Sequence, residues 1–176
     1  FTMAADLYVN GSGNVNTYTT IQAAVNAATS GDNIYVATVG TYSENITINS
    51  KSLFIIAASA NQTFTISGNF TLNPGSGNEV TIIGMYNGNI STSSSSSGTV
   101  NIISSFISSI SNTSGNLKMN VYDCEVTNSF SIANGNVKGC SLLGGLNVSN
   151  GSGASGDTIR IMGNHIENGL TWVSSY

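Results

Sequence analysis

Two hydrophobic rhythms run along this chain, and the switch between them falls near Asn33. Upstream, Ile21, Ala24, Val25 and Ala28 lie three and four apart, which places them on one face of a short amphipathic helix. Thr19 followed three residues later by Gln22 has capping-box spacing at the helix start. Ser30-Gly31-Asp32-Asn33 reads as the stop, because glycine adopts the left-handed conformation that relieves the last carbonyls. Downstream the period drops to two: Ile34 and Val36, then Ile46 and Ile48, alternate with polar residues as half-buried strands do. Residues 6–9 read as a first short strand, with a loop at residues 10–17 before the helix. Ser52 to Ala58 and Thr63 to Leu72 are further alternating blocks, predicted to supply roughly two coils.

From residue 79 the pattern repeats against itself. Val121, Cys124, Val126, Phe130 and Ile132 recur as Val137, Cys140, Leu142, Leu146 and Val148, and again as Ile161, Asn164, Ile166, Leu170 and Trp172. Backwards, Val80, Ile82, Ile83, Tyr86 and Ile90 match Val100, Ile102, Ile103, Phe106 and Ile110. Spacing within the strands is kept while the total repeat varies, so the extra residues belong in loops at residues 91–98 and 149–156. Gly84, Ser104, Asp123, Gly139 and Gly163 mark one recurring corner, and Asn128-Ser129, Gly144-Gly145 and Asn168-Gly169 a second. The pattern predicts an all-β fold, a single-stranded parallel β-helix of about seven coils, roughly 34 Å long at ~4.8 Å per coil. It is read as a single domain over residues 1–176: 1–31 form the N-terminal strand and capping helix, and 32–176 the coils.

The stretches Thr20-Ile21-Gln22-Ala23-Ala24-Val25, Gly31-Asp32-Asn33-Ile34-Tyr35-Val36 and Gly40-Thr41-Tyr42-Ser43-Glu44-Asn45-Ile46 resemble the N-terminal part of pectin-lyase-like right-handed parallel β-helix proteins, a superfamily that includes pectinesterases. Val39 departs from that pattern as a local insertion. The resemblance implies a helix over the open end of the solenoid, with the Gly-x-Tyr-x-Glu turn leading into the first coils. It implies fold more than function, since this architecture hosts lyases, hydrolases, esterases and proteins with no chemistry. The later motifs that carry chemistry in pectinesterases and polygalacturonases do not occur here, so Glu44 is expected to be structural.

Composition narrows the partners. Asn, Ser, Thr and Gly together make up 90 of 176 residues, 7% of the chain is charged, and the net charge is -4. Ordered apolar spacing argues against disorder, and four basic residues argue against nucleic acid. No apolar run approaches the roughly 18 residues of a membrane span. The start at Phe1, with no initiator methionine or leader, reads as a processed or excised chain. No cofactor is expected.

Cys124 and Cys140 occupy equivalent places in neighbouring coils. The spacing of adjacent coils allows a disulfide, and two reduced inward thiols is the competing reading. A metal site lacks partners, as His165 is the sole histidine. Sequons stand at Asn10, Asn45, Asn61, Asn69, Asn89, Asn112, Asn147 and Asn150, of which Asn45, Asn61, Asn69, Asn89, Asn112 and Asn147 are the candidate glycosylation sites. The acidic candidates are Asp123 and Glu125, with Arg160 and His165 two coils on. By analogy with enzymes of this architecture, outward carboxylates and a base could serve acid–base chemistry. The register opposes this: Asp123 aligns with Gly139 and Gly163 as a turn residue, Glu125 aligns with Ser141 and His165, and Lys118 and Lys138 lie near enough to neutralise both acids. Tyr35, Tyr42, Tyr86, Tyr122, Trp172 and Tyr176 are candidate sugar-stacking aromatics, and Tyr86 and Phe106 align for a stack of their own.

The expectation is therefore a non-enzymatic structural or adhesive β-solenoid of an extracellular fibre, an appendage or a virion surface. The segment from Leu170 to Tyr176 stops in mid-pattern without a closing element, which leaves two expectations: the native chain continues past Tyr176, or copies associate through solenoid ends or sides. The alternatives are a polysaccharide-directed lyase or esterase and a module that binds surface glycans.

Overall fold

The computed structural model describes residues 3–10, 16–149 and 158–173. Over these the chain is an all-β parallel solenoid of about seven turns, of the right-handed type. Strands stack into a nine-stranded front wall and a 12-stranded back wall, parallel neighbours throughout. In one turn, Leu117–Tyr122 lies on the front wall, and Glu125–Val126 and Phe130–Ile132 on the back.

The register explains the apolar alternation. Leu7, Ile34, Ile55, Ile82, Ile102, Val121, Val137 and Ile161 form one continuous inward ladder on the front wall. The back wall carries a matching ladder of Phe130, Leu146 and Leu170. Because every strand presents the same face inward, identical rungs stack and a single apolar core runs along the axis. From the turn of Gly84 onward the first corner places a left-handed residue in every turn: Gly84, Ser104, Asp123, Gly139 and Gly163 have φ of +74°, +48°, +52°, +68° and +61°. At the second corner no side chain fits at Gly144, whose Cβ would lie 1.3 Å from the Asn128 carbonyl oxygen.

Two details differ from the sequence pattern. Residues 52–72 supply one turn rather than two, because Leu53–Ala57 pairs with Asn33–Val36 and Asn69–Asn73 with Ile46–Asn49. The second corner vanishes in the middle turns, where Met85–Ser91 and Phe106–Ser111 run unbroken. The strand that ends at Ser91 resumes at Gly98, as the repeat predicted, whereas the second insertion falls on residues outside those described.

The helix, α1, spans Ile21–Ala27 and buries Ile21, Ala24 and Val25 against the strands of the first turn. Its N-cap is Thr20, not Thr19: the Thr20 hydroxyl accepts from the Ala23 amide at 3.1 Å. The reciprocal half of the expected capping box comes from elsewhere in the chain. The Ile21 and Gln22 amides donate to the two carboxylate oxygens of Glu44, each at 2.9 Å. That leaves the Gln22 side chain to bond Asn26 and Thr47. At the other end α1 stops before Gly31, because Ala28 is already extended (φ -66°, ψ 144°). The Lys51 ammonium donates to the Val25 and Ala28 carbonyls at 2.9 and 2.8 Å. A negative charge at the start and a positive charge at the end both complement the helix dipole. They hold a seven-residue helix that would be marginal alone.

Candidate functional site: the outer face of the front wall

Residues pointing away from the core fall into ladders as regular as those inside. One column runs Asp6, Asn33, Phe54, Thr81, Asn101, Asn120, Asn136 and Arg160. Its amides bond up the stack: Asn101 donates to Thr81 at 3.2 Å, Asn120 to Asn101 at 2.8 Å, and Asn136 to Asn120 at 2.6 Å. At the N-terminal end, Asn33 donates to the Asp6 carboxylate at 2.9 Å. These bonds satisfy groups that would otherwise compete for water on a half-buried sheet face.

Beside it lies a second column of Tyr8, Tyr35, Ile56, Ile83, Ile103 and Tyr122, continued by Lys138 and Met162. Tyr8 and Tyr35 stack with ring centroids 5.3 Å apart. Burial raises the Tyr35 phenol pKa, and neighbouring Asp6 and Tyr8 push it the same way. Toward the C-terminal end the face opens into a groove of about 580 Å³, floored by Ile103, Tyr122 and Asn136 and rimmed by Asp123, Lys138, Arg160 and Met162. Neither column was singled out from the sequence. The signal lay in the repeat alignment, one place before and one place after Ile82, Ile102, Val121 and Val137.

The acid–base candidates separate. Asp123 and Arg160 meet in the groove, whereas Glu125 and His165 lie round the corner on the back wall, in the register Glu125–Ser141–His165. Asp123 occupies the left-handed corner, and its carboxylate leans over Gly139 so closely that a Cβ there would sit 2.5 Å from the oxygen. No ion pair joins Lys118 or Lys138 to Asp123 or Glu125, which corrects the expected neutralisation. Among the described residues the ion-pair contact is instead His165 Nε2 with Glu167 Oε1, exposed and 3.4 Å apart.

Cys124 and Cys140 are buried ladder neighbours below Asn164, and both thiols are free. The Cys124 sulfur faces the Tyr122 carbonyl at 3.1 Å, and Cys140 faces the Lys138 and Val121 carbonyls at 3.4 and 3.5 Å. The neighbouring Cys140 thiol and burial push the Cys124 thiol pKa up, while Cys124 and nearby backbone groups hold Cys140 below the usual thiol value. The Asn164 amide closes the ladder, accepting from the Cys140 amide at 2.8 Å and donating to the Val137 carbonyl at 2.9 Å.

Of the sequons, Asn10, Asn45, Asn61, Asn89 and Asn147 are exposed and Asn69 is half-buried. Asn112 is 0% exposed and its amide donates to the Leu117 carbonyl, so the folded chain has no room for a glycan there. Asn150 and Tyr176 lie outside the described residues. Tyr42 is a core residue rather than a platform: it is buried and its hydroxyl donates to the Ala37 carbonyl at 2.9 Å. Tyr86 is exposed and stacks on Phe106 at 4.8 Å, as their alignment predicted.

Among the described residues no group of three His, Cys, Asp or Glu side chains is placed to hold a metal, and no helix is long and apolar enough to cross a membrane. No protein-family model matches the chain, and no curated protein or solved structure matches it.

Proposed function

We propose that this chain is a non-enzymatic structural or adhesive solenoid, working outside the cell or on a virion surface and associating with copies of itself. The observation that carries the reading is where its carboxylates go. Glu44 binds the first amides of α1. Asp32 binds the Ala5 and Thr29 amides at 2.8 and 2.7 Å. Asp6 holds Asn33, and Asp123 forms a corner. Acids engaged by backbone and turns stiffen a rod and are poorly placed to exchange protons with a substrate. In this reading α1 is the lid on the N-terminal end, as in the pectin-lyase-like superfamily that residues 20–46 resemble. The apolar front column supplies surface for self-association. Electron microscopy or light scattering of the pure protein should show an assembly; a monomer that persists at high concentration overturns the reading.

One observation favours a second reading, a polysaccharide-directed enzyme or glycan-binding module. The groove juxtaposes Tyr122, Asp123, Asn136, Lys138 and Arg160, an aromatic ring with polar groups of both charges. Turnover of pectin and related polymers, with and without calcium, that Asp123→Ala or Glu125→Ala abolishes would install an enzyme in place of the scaffold. Glycan-array binding lost in Tyr122→Ala would install the binding module.

A further inference from the structure

The outer columns of the front wall carry unlike groups at their two ends and an apolar stretch between them. Ile83 and Ile103 stand at the centre, flanked by Ile56 and Tyr122, then by Tyr35 and Lys138, then by Tyr8 and Met162. The neighbouring column begins with a carboxylate, Asp6, and ends with a guanidinium, Arg160. We infer that two copies pack front wall to front wall with their solenoid axes antiparallel, about a two-fold axis that passes between the strands Glu79–Ile83 and Gly98–Ile103.

In that arrangement each Asp6 faces an Arg160 across the interface, and the outer edge of the Tyr35 ring lies opposite Lys138. Tyr8 meets the Met162 thioether, a favourable sulfur–aromatic contact. The shapes agree as well as the charges. The stacked Tyr8 and Tyr35 at one end form the ridge, and the groove at the other end, beside Lys138 and Arg160, receives it. Side-by-side packing with parallel axes brings Arg160 against Lys138, so the charges select the antiparallel pair. An interface that places the same patch on both copies also closes after two and leaves the other faces free. At ~4.8 Å per turn and ~3.3 Å per residue the contact measures roughly 34 by 13 Å, about 440 Å² per copy, below the ~800 Å² of tight complexes. The pair is therefore a weak, concentration-dependent dimer.

The inference deepens the self-association just proposed and rests on it, so its test must separate the two. Sedimentation of the chain from about 1 to 500 µM should show a monomer–dimer equilibrium. Arg160→Asp should weaken it about tenfold or more, and Asp6→Arg combined with Arg160→Asp should restore it, since both side chains are exposed and the swap re-forms the pair. Tyr35→Ala should weaken the dimer without help from salt. Self-association that ignores Arg160→Asp and Tyr35→Ala overturns the front-face dimer and leaves the assembling scaffold standing. A chain that stays monomeric across the range overturns both.

Discussion

Phe130 and Leu146 are rungs of one ladder and are 0% and 1% exposed, yet Leu170, the next rung up, is 53% exposed. The neighbouring ladder repeats the contrast, with Ile132 and Val148 at 0% and Trp172 at 59%. At the opposite end Leu7 and Val9, the first rungs of the front wall, are 3% and 0% exposed, and α1 packs against their strand. The apolar pattern is the same in first, middle and last turns. A rung is dry when it has a neighbour on both sides, whatever its own side chain, so burial in a stacked fold belongs to the pair of interfaces rather than to the residue.

The sharpest way to break this comparison is to truncate equivalent rungs. Phe130→Ala should cost about 3–5 kcal/mol in urea unfolding, the value for an aromatic removed from a closed core, whereas Leu170→Ala should cost less than about 1 kcal/mol. Equal costs would mean that the last turn is as closed as the middle. Next in size is the clamp on α1. Glu44→Ala strips the acceptor from two helix amides and should cost about 1–2 kcal/mol, with hydrogen-exchange protection lost over residues 21–27 before the middle turns loosen. Lys51→Met, which removes the cation at the helix end while keeping the aliphatic stem, should cost about 1 kcal/mol and loosen the same segment.

A smaller effect is expected from Asp32. Burial works to raise its pKa, but the Ala5 and Thr29 amides, the Thr29 hydroxyl and nearby Lys51 outweigh that and leave it below the usual 3.8. A carboxylate depressed in the folded state contributes stability that is full above pH 3.8 and is lost as the pH falls through the lowered value. Melting temperature against pH should therefore decline on the acid side in the parent chain. Asp32→Asn should start lower and decline less; an unchanged acid limb would remove Asp32 as a clamp between the first strand and the turn after α1.

Much of this was legible in the sequence because a parallel solenoid writes its register as repetition. Val121, Val137 and Ile161 are aligned by eye and paired in space, and so are Tyr86 and Phe106. The corner at Gly84, Ser104 and Asp123 was readable for the same reason: from there on every turn places one left-handed residue at the same point. The clamps on α1 were not readable. Glu44 lies 23 residues from Ile21, and Lys51 lies 26 from Val25, and no spacing rule links a helix end to a charge in the following turn. The split of Asp123 from Glu125, by contrast, was readable, since Asp123 aligned with the corner glycines Gly139 and Gly163 while Glu125 aligned with Ser141 and His165.

The alternation of apolar and polar residues determined by itself that strands would form, which face would turn inward and how far apart the turns would fall, because those depend on periods that local backbone geometry imposes. Only the tertiary structure decided that Thr81, Asn101, Asn120 and Asn136 would join into a hydrogen-bonded ladder, that Tyr8 would stack on Tyr35, and that Leu170 would be left open while Leu146 was closed. Those outcomes depend on what lies one turn above or below, and that neighbour is supplied by the coiling of the chain rather than by any residue nearby in it.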